Sequence, residues 1–177
     1  RLFARMQEAF AGFLDHTDYH IGRLLDALKA IDQFDNTIIV LVSDNGASPE
    51  GQQVGTWNEY KNFNGAAEQA EQEIKHIDKL GSPEAYNHYP TGWAQVGNTP
   101  LKWYKTFVHA GGVKDPFIIS YPAKIKDAGG IRSQYHHVID VVPTILELAG
   151  IQAPSVVKGT EQKSMEGVSL AYSFDNH

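Results

Sequence analysis

Four polar residues, Ser43-Asp44-Asn45-Gly46, follow directly on the apolar run Thr37-Ile38-Ile39-Val40-Leu41-Val42. Asp44 offers a carboxylate and Asn45 a neutral carbonyl oxygen. Both are hard oxygen donors, suited to Ca²⁺ or Mg²⁺ and poorly suited to a soft metal. Gly46 lets the chain turn so that both side chains can face one point. An Asp-Asn-Gly stretch is also a common plain turn, so the pair taken alone has two readings. Further on, Lys105 stands in Asn98-Thr99-Pro100-Leu101-Lys102-Trp103-Tyr104-Lys105. Its ammonium can hold an oxyanion as a point charge, or it is a solvated surface cation like Lys102 and Lys114. His109, just before Ala110-Gly111-Gly112, can donate a hydrogen bond or protonate a leaving group near neutral pH. His88 and the pair His136-His137 are further candidates, with a packed or surface histidine as the plainer reading. Trp57, Trp93 and Trp103 fit an aromatic pocket or a core equally well.

The elements that must position these groups follow from periodicity. Residues 1–30 read as one long helix, with Met6, Phe10, Phe13, Leu14, Ile21, Leu24, Leu25, Leu28 and Ile31 on one stripe. Asp35-Asn36 ends it as a turn. The apolar run 37–42 is short and rich in β-branched residues, which predicts a strand buried on both faces, as inside a parallel sheet. A helix and then a buried strand ending in polar residues is a unit of an α/β fold, where ligands sit beyond the carboxyl ends of strands. Residues 47–98 lose strand character, apart from one helix predicted over 66–80 and closed by Gly81. An excursion of that length points to a functional loop that shapes a pocket. Residues 102–109 fit helix and strand alike. Gly111-Gly112 reads as a turn, 116–121 as a second buried strand stopped by Pro122, and 135–138 as a third short strand. Gly129-Gly130 marks the turn between those two strands. Asp140 is the expected cap of a helix running to Ala149, with Pro143 in its first turn and Gly150 at its end.

The bulk properties narrow the class. A chain of 177 residues with 42% hydrophobic and 20% charged content is ordinary for one globular domain. A formal net charge of -6 argues against a nucleic-acid partner. No apolar run approaches the roughly 20 residues of a membrane-spanning helix. The absence of cysteine excludes disulfides and thiolate metal sites within the chain and leaves the compartment open. No leader is visible, and a start in mid-helix suggests a piece of something longer.

Taken in order, these pieces resemble the sulfatases of the alkaline-phosphatase-like superfamily. The resemblance rests on Ile21-Gly22-Arg23-Leu24-Leu25-Asp26, Ser43-Asp44-Asn45-Gly46, and Lys105 with its following Gly-Gly pair. It continues through Pro116-Phe117-Ile118-Ile119-Ser120-Tyr121-Pro122, the stretch from His137 through Asp140 and Pro143 to Leu146, and Glu166-Gly167-Val168-Ser169-Leu170. It is thinnest over 47–97, where it is most similar to large bacterial arylsulfatases. It implies an α/β protein: part of a three-layer α/β/α domain with a mostly parallel central sheet. Residues 1–177 would be one partial catalytic domain, with 47–98 a pocket-shaping insertion. It further implies that Asp44 and Asn45 are the second pair of ligands to the family's Ca²⁺, with Mg²⁺ the weaker candidate, and that Lys105 contacts the substrate sulfate. Residue type alone, and not the resemblance, makes His109 a catalytic candidate and His88 a substrate-binding one. The family's nucleophile is a hydrated formylglycine made in a Cys/Ser-x-Pro-x-Arg motif. That motif is missing here, as are the first aspartate pair and the upstream His and Lys. All would precede Arg1, so the isolated chain is expected to be inactive. Ala110 and Lys114 replace a frequent Glu and Arg and read as subfamily variation.

The implied activity is metal-assisted hydrolysis of a small-molecule sulfate ester, without selection among aryl, steroid, sugar and alkyl groups. Two other readings share the residues. A phosphatase, phosphodiesterase or phosphonate hydrolase of the same superfamily would tend to use two zinc ions and a His after the strand-end Asp, where this chain has Asn45. A non-catalytic binding module would keep the fold without the nucleophile.

Overall fold

A computed structural model describes residues 1–66 and 68–174. They are a mixture of helix and short strand. Helix α1, Leu2–Ala30, forms where the stripe predicts it, but only Leu2 and Met6 along it are buried. Phe13, Leu14 and Leu24 on the same stripe remain 65%, 51% and 61% exposed. Strand β1 is Ile39–Val42 and pairs with β2, Phe117–Ser120, in a sheet of two strands. The expectation of strands buried on both faces is not met. Leu41, Val42 and Ile118 are 46%, 44% and 58% exposed, because a two-stranded ribbon has no layers over its faces. No helix among the described residues is long and apolar enough to cross a membrane.

The described chain divides into two compact units. The first comprises Arg1–Leu28 and Leu41–Ile118. Its core is Leu2, Met6, Leu80, Tyr89 and Ala94, with Phe10, Trp57 and Trp93 packed against it. Phe10 meets Tyr89 edge to face, ring centroids 4.9 Å apart. The Arg5 guanidinium donates to the Leu80 carbonyl at 3.1 Å and the Trp93 indole to the Phe3 carbonyl at 2.9 Å. These bonds tie the start of α1 to the 47–98 segment. That segment is more ordered than its composition suggests. Thr56 and His88 form an antiparallel bridge, and Asn58 bridges Tyr86. Short helices α2 (Glu59–Phe63), α3 (Ala70–Glu73) and α4 (Thr91–Gly97) decorate it. The single helix expected over 66–80 is replaced by α3 and a 3₁₀ stretch, Ile74–Lys79, broken at His76. No side chain caps the start of α3, and the His76 ring lies 5.5 Å from that of Trp57. Gly81 does end the segment, at φ +85.

A buried acidic pair sits in this unit. The backbone N–H groups of Trp57 and Asn58 donate to Glu68 Oε2 at 2.6 and 3.1 Å, and the Lys61 ammonium pairs with Oε1 at 3.1 Å. Glu73 is only 3% exposed, and both its carboxylate oxygens are buried without a hydrogen-bond partner. Burial, and then the charge of Glu68, push the Glu73 carboxyl up to about 7, with Lys61 opposing.

The second unit comprises Lys29–Val40 and the chain from Ile119 onward. It is organised by Asp140, 7% exposed. The strand expected over 135–138 is absent. His137 instead enters a capping box that opens a 3₁₀ turn, Val138–Asp140, and helix α6, Val141–Ala149, follows directly. Asp140 stands at the start of α6 as expected, but its carboxylate does not cap it. It accepts the His137 N–H at 2.8 Å and the Val168 N–H at 2.9 Å. Thr144 Oγ1 donates to the Asp140 carbonyl at 2.6 Å and accepts the Leu170 N–H at 2.7 Å. Gly167 fits here because a Cβ would lie 2.2 Å from the Ile139 carbonyl oxygen. Gly150 ends α6 at φ 68. A small antiparallel hairpin, β3 (Val156–Val157) and β4 (Thr160–Glu161), was not expected. Its turn residues, Lys158 and Gly159, both take positive φ, the signature of a tight hairpin.

These two carboxyls carry opposite pH signs. The His137 N–H, first, and then the Val168 N–H hold the Asp140 carboxyl below the usual range. Its contribution is therefore present above that range and lost as pH falls through the folded-state value. Glu73 is raised, so its penalty begins above the ordinary value of 4.5 and is complete above about 7. Asp140→Ala is expected to cost about 1–3 kcal/mol at pH 7 and less in acid. Glu73→Gln is expected to stabilise at pH 8 and to be neutral near pH 4. Urea unfolding midpoints across pH check both.

Candidate active site

The strand-end loop after β1 is held to two other segments by backbone bonds. Ser43 N–H donates to the Pro116 carbonyl at 3.1 Å, Gly46 N–H to the Gly112 carbonyl at 3.4 Å, and Lys105 N–H to the Ala47 carbonyl at 3.1 Å. Asn98, just past α4, joins all three. Its Oδ1 accepts the Ala47 N–H at 3.2 Å, while its Nδ2 donates to the carbonyls of Trp103 and Gly111 at 3.0 and 2.7 Å. Gln95 adds a second pair, donating to the Leu101 carbonyl at 3.1 Å and accepting the Trp103 N–H at 3.0 Å. Residues 101–109 are thus neither helix nor strand. They form turns pinned by two side-chain amides, with Trp103 and Thr106 at positive φ. Sequence reasoning passed over Asn98 and Gln95, because an amide near a helix end looks the same whether it bonds water or backbone.

Gly111-Gly112 is not a turn. Both residues are buried in α5, the single helical turn Ala110–Val113. A Cβ on Gly111 would lie 1.8 Å from the Trp103 carbonyl oxygen, and one on Gly112 2.0 Å from that of Phe107. A Cβ on Gly46 would lie 1.7 Å from the Gly111 carbonyl oxygen. The three glycines let the Asp44 loop and the Lys105 loop touch through bare backbone.

Within this frame Asp44 is exposed, and among the described residues its carboxylate takes no hydrogen-bond or ion-pair partner. Asn45 turns its Nδ2 to the Gly46 carbonyl at 3.0 Å, which leaves its amide oxygen as the free end. An uncommitted carboxylate beside a free amide oxygen suits a hard divalent cation. No group of three or more His, Cys, Asp or Glu residues able to hold a metal occurs among the described residues, so further ligands are needed to complete such a site. Asp115, which the sequence did not single out, stands nearby: burial, and then the charge of Asp44, raise its carboxyl.

Lys105 is half-buried. Its ammonium is held by the Glu50 carboxylate. That hydrogen bond, opposed by burial and aided by the charges of Glu50, Asp44 and Glu59, raises the lysine above its ordinary value. It therefore carries its positive charge at any neutral pH. His88 bonds Ser48 Oγ through Nε2 and the Tyr89 carbonyl through Nδ1, both at 2.8 Å, so it braces the loop just past Asn45. His109 is exposed, with its ring 6.1 Å from Trp103 and 6.3 Å from Phe107, and no side-chain bond to α5. Trp57 and Trp93 belong to the core, whereas Trp103 stacks on Phe107. His136 and His137 lie in the second unit. There His137 Nδ1 accepts the Ile139 N–H at 3.3 Å, and both His136 ring nitrogens are buried without a partner.

The backbone bonds thus bring the Asp44-Asn45 loop and the Lys105 loop together, and the comparisons with known proteins give the family. The family model described as Sulfatase matches residues 4–151. The chain belongs to the sulfatase family. It is 34% identical over 155 residues to an uncharacterized sulfatase of Schizosaccharomyces pombe, covering 85% of this chain and 26% of that protein. It is 31% identical over 171 residues to an arylsulfatase of Klebsiella aerogenes, covering 95% and 34%. An N-acetylglucosamine-6-O-sulfatase of Bacteroides thetaiotaomicron is 30% identical over 146 residues, covering 82% and 17%. The chain thus spans about a third or less of the length of these relatives.

The glycine contacts are open to a direct test. Gly46→Ala is expected to destabilise by about 1–3 kcal/mol, the usual cost of overpacking. Gly12→Ala, on α1 with nothing within 4 Å of the added Cβ, is expected to stabilise by about 0.5–1 kcal/mol. Chemical denaturation of the two variants reads both signs.

Proposed function

We propose that this chain is the C-terminal part of the catalytic domain of a sulfuric ester hydrolase of arylsulfatase type, acting on a small-molecule sulfate ester. In this reading Asp44 and Asn45 supply two oxygen ligands to a divalent cation, Ca²⁺ in preference to Mg²⁺. Lys105 grips the sulfuryl oxygens, and the formylglycine nucleophile and the other ligands lie outside the chain. The observation that carries the reading is that Lys105 is bonded through its backbone to Ala47, three residues from Asp44, while its ammonium feels the Asp44 charge. The family membership supports it, as does the free Asp44 carboxylate. Cleavage of a sulfate ester builds negative charge on the leaving oxygen and the sulfuryl oxygens. A cation bound by Asp44 and Asn45 would supply Lewis-acid stabilisation of that charge. Lys105 does so as a fixed ammonium, charged before substrate arrives, in a loop that need not reorganise.

The segment 47–98 shapes the pocket in this proposal. Glu50 and His88 both come from it, and both reach the Asp44–Lys105 region. His88 acts as a strut that fixes Ser48 beside the substrate-binding loop, and His109 remains an exposed candidate for the leaving-group side. The solvent-exposed apolar residues of α1, β1 and β2 support the wider assignment to a partial domain. In a complete three-layer α/β/α domain, further strands of a mostly parallel sheet and a second helical layer would cover them. On that view the isolated chain is inactive.

In the complete enzyme, Lys105→Ala is expected to reduce kcat/KM for an aryl sulfate by about 10²–10³-fold, the usual loss for one preorganised charge-stabilising donor. Near-normal turnover would refute the role of Lys105. Two tightly bound zinc ions per chain, measured by elemental analysis, would favour a phosphate-ester enzyme instead.

A further inference from the structure

Glu50 has no role in the reaction described so far, yet it is the residue in direct contact with the Lys105 ammonium. It is not a surface acid that happens to lie nearby. Its side chain is 21% exposed, and the carboxylate oxygen that does not face Lys105 is buried without a hydrogen-bond partner. Its backbone is fixed from several sides. The Glu50 N–H donates to Ser48 Oγ at 3.3 Å, and Asn62 Nδ2 donates to the Glu50 carbonyl at 2.8 Å. Thr91 Oγ1 lies 3.0 and 2.9 Å from the carbonyls of Pro49 and Gln52, which share its single hydroxyl proton and so clamp the turn. Gly51 lies so close to the 88–89 backbone that a Cβ would come within 1.8 Å of the Tyr89 carbonyl oxygen. With its backbone pinned and one carboxylate oxygen buried, the Glu50 side chain is set against the Lys105 ammonium, its side-chain partner among the described residues. It keeps a fixed negative charge beside the anion-binding ammonium.

We propose that Glu50 is a specificity-determining residue, a built-in negative charge that lowers the preference of the Lys105 site for dianions relative to monoanions. The proposal rests on the reading that Lys105 grips the sulfate. Coulomb repulsion scales with the charge of the guest, so a dianion in the site is repelled by Glu50 about twice as strongly as a monoanion. A sulfate monoester is a monoanion at neutral pH. Inorganic sulfate, the product of its hydrolysis, is a dianion, and a phosphate monoester is largely one. The fixed carboxylate therefore weakens binding of the product and of phosphate esters more than binding of the substrate. Product release is favoured, and competing esters are rejected, without any change in shape. Glu50 lowers the affinity for every anion, but unequally, and that inequality distinguishes a charge filter from a simple strut.

The test measures competitive inhibition of the complete enzyme by inorganic sulfate, a dianion, and by methyl sulfate, a monoanion, at neutral pH. Glu50→Gln removes the charge and keeps the shape. The expected result is that both inhibitors bind more tightly, with the preference for inorganic sulfate over methyl sulfate rising about three- to tenfold, a factor set by one screened charge at close range. Glu50→Ala removes the same charge with less steric demand and is expected to shift that preference in the same direction. If both inhibition constants move by the same factor in these variants, or not at all, Glu50 is only a strut and the inference fails. Lys105→Met, measured in parallel, tests the underlying reading. It should weaken both inhibitors, and if it leaves both unchanged, the assignment of Lys105 fails and takes the Glu50 proposal with it.

Discussion

The candidate site depends on one side-chain amide. Asn98 accepts from Ala47, 51 residues away, and donates to Trp103 and Gly111, so the strand-end loop, the Lys105 loop and α5 share one planar group with a donor and an acceptor face. Each of those backbone groups would otherwise need a water molecule or another partner. An aspartate there could not donate, and a leucine of similar size could do neither. The three glycines at 46, 111 and 112 are the steric half of the same constraint. They allow the backbones to approach until an amide of fixed length can bridge them.

The polar groups around this junction are arranged in order of commitment. His88 spends both ring nitrogens on Ser48 and the Tyr89 carbonyl, and Asn98 spends its amide on three backbone groups. These are structural uses of residues whose chemistry would allow more. Asp44, by contrast, is left unspent, and Lys105 is balanced by a single carboxylate. Uncommitted or singly balanced charge is what a site for an external ion or substrate requires, because a fully satisfied group gains nothing from a ligand.

The sequence was informative where one residue type has one physical use. The stripe of α1, the strand-end Asp-Asn-Gly, and Gly150 at the end of α6 could be read because periodicity and backbone freedom are local properties. Burial of β1 could not be read, since an apolar strand looks the same whether or not other layers cover it. The Tyr135–Val138 segment failed for a different reason. Its β-branched and aromatic residues fit a strand, but the His137–Asp140 capping box competes for the same backbone and wins through a contact to Val168, far along the chain. Of the proposed site, Asp44, Asn45 and Lys105 were singled out by order and type. The roles of Asn98, Gln95 and Glu50 were not, because each depends on which remote backbone or side chain it meets.

Met6 is fully buried, and the close approach of Gly55 leaves its sulfur no spare room, since a Cβ there would sit 2.3 Å from it. The sequence holds two methionines and no cysteine, and the other methionine, Met165, is 47% exposed. Oxidants therefore meet one accessible thioether and one sealed one. Conversion of Met165 to the sulfoxide leaves the packing intact, whereas a sulfoxide at Met6 has no space for its added oxygen. The oxidation state of Met6 is thus a built-in record of whether the first core has opened.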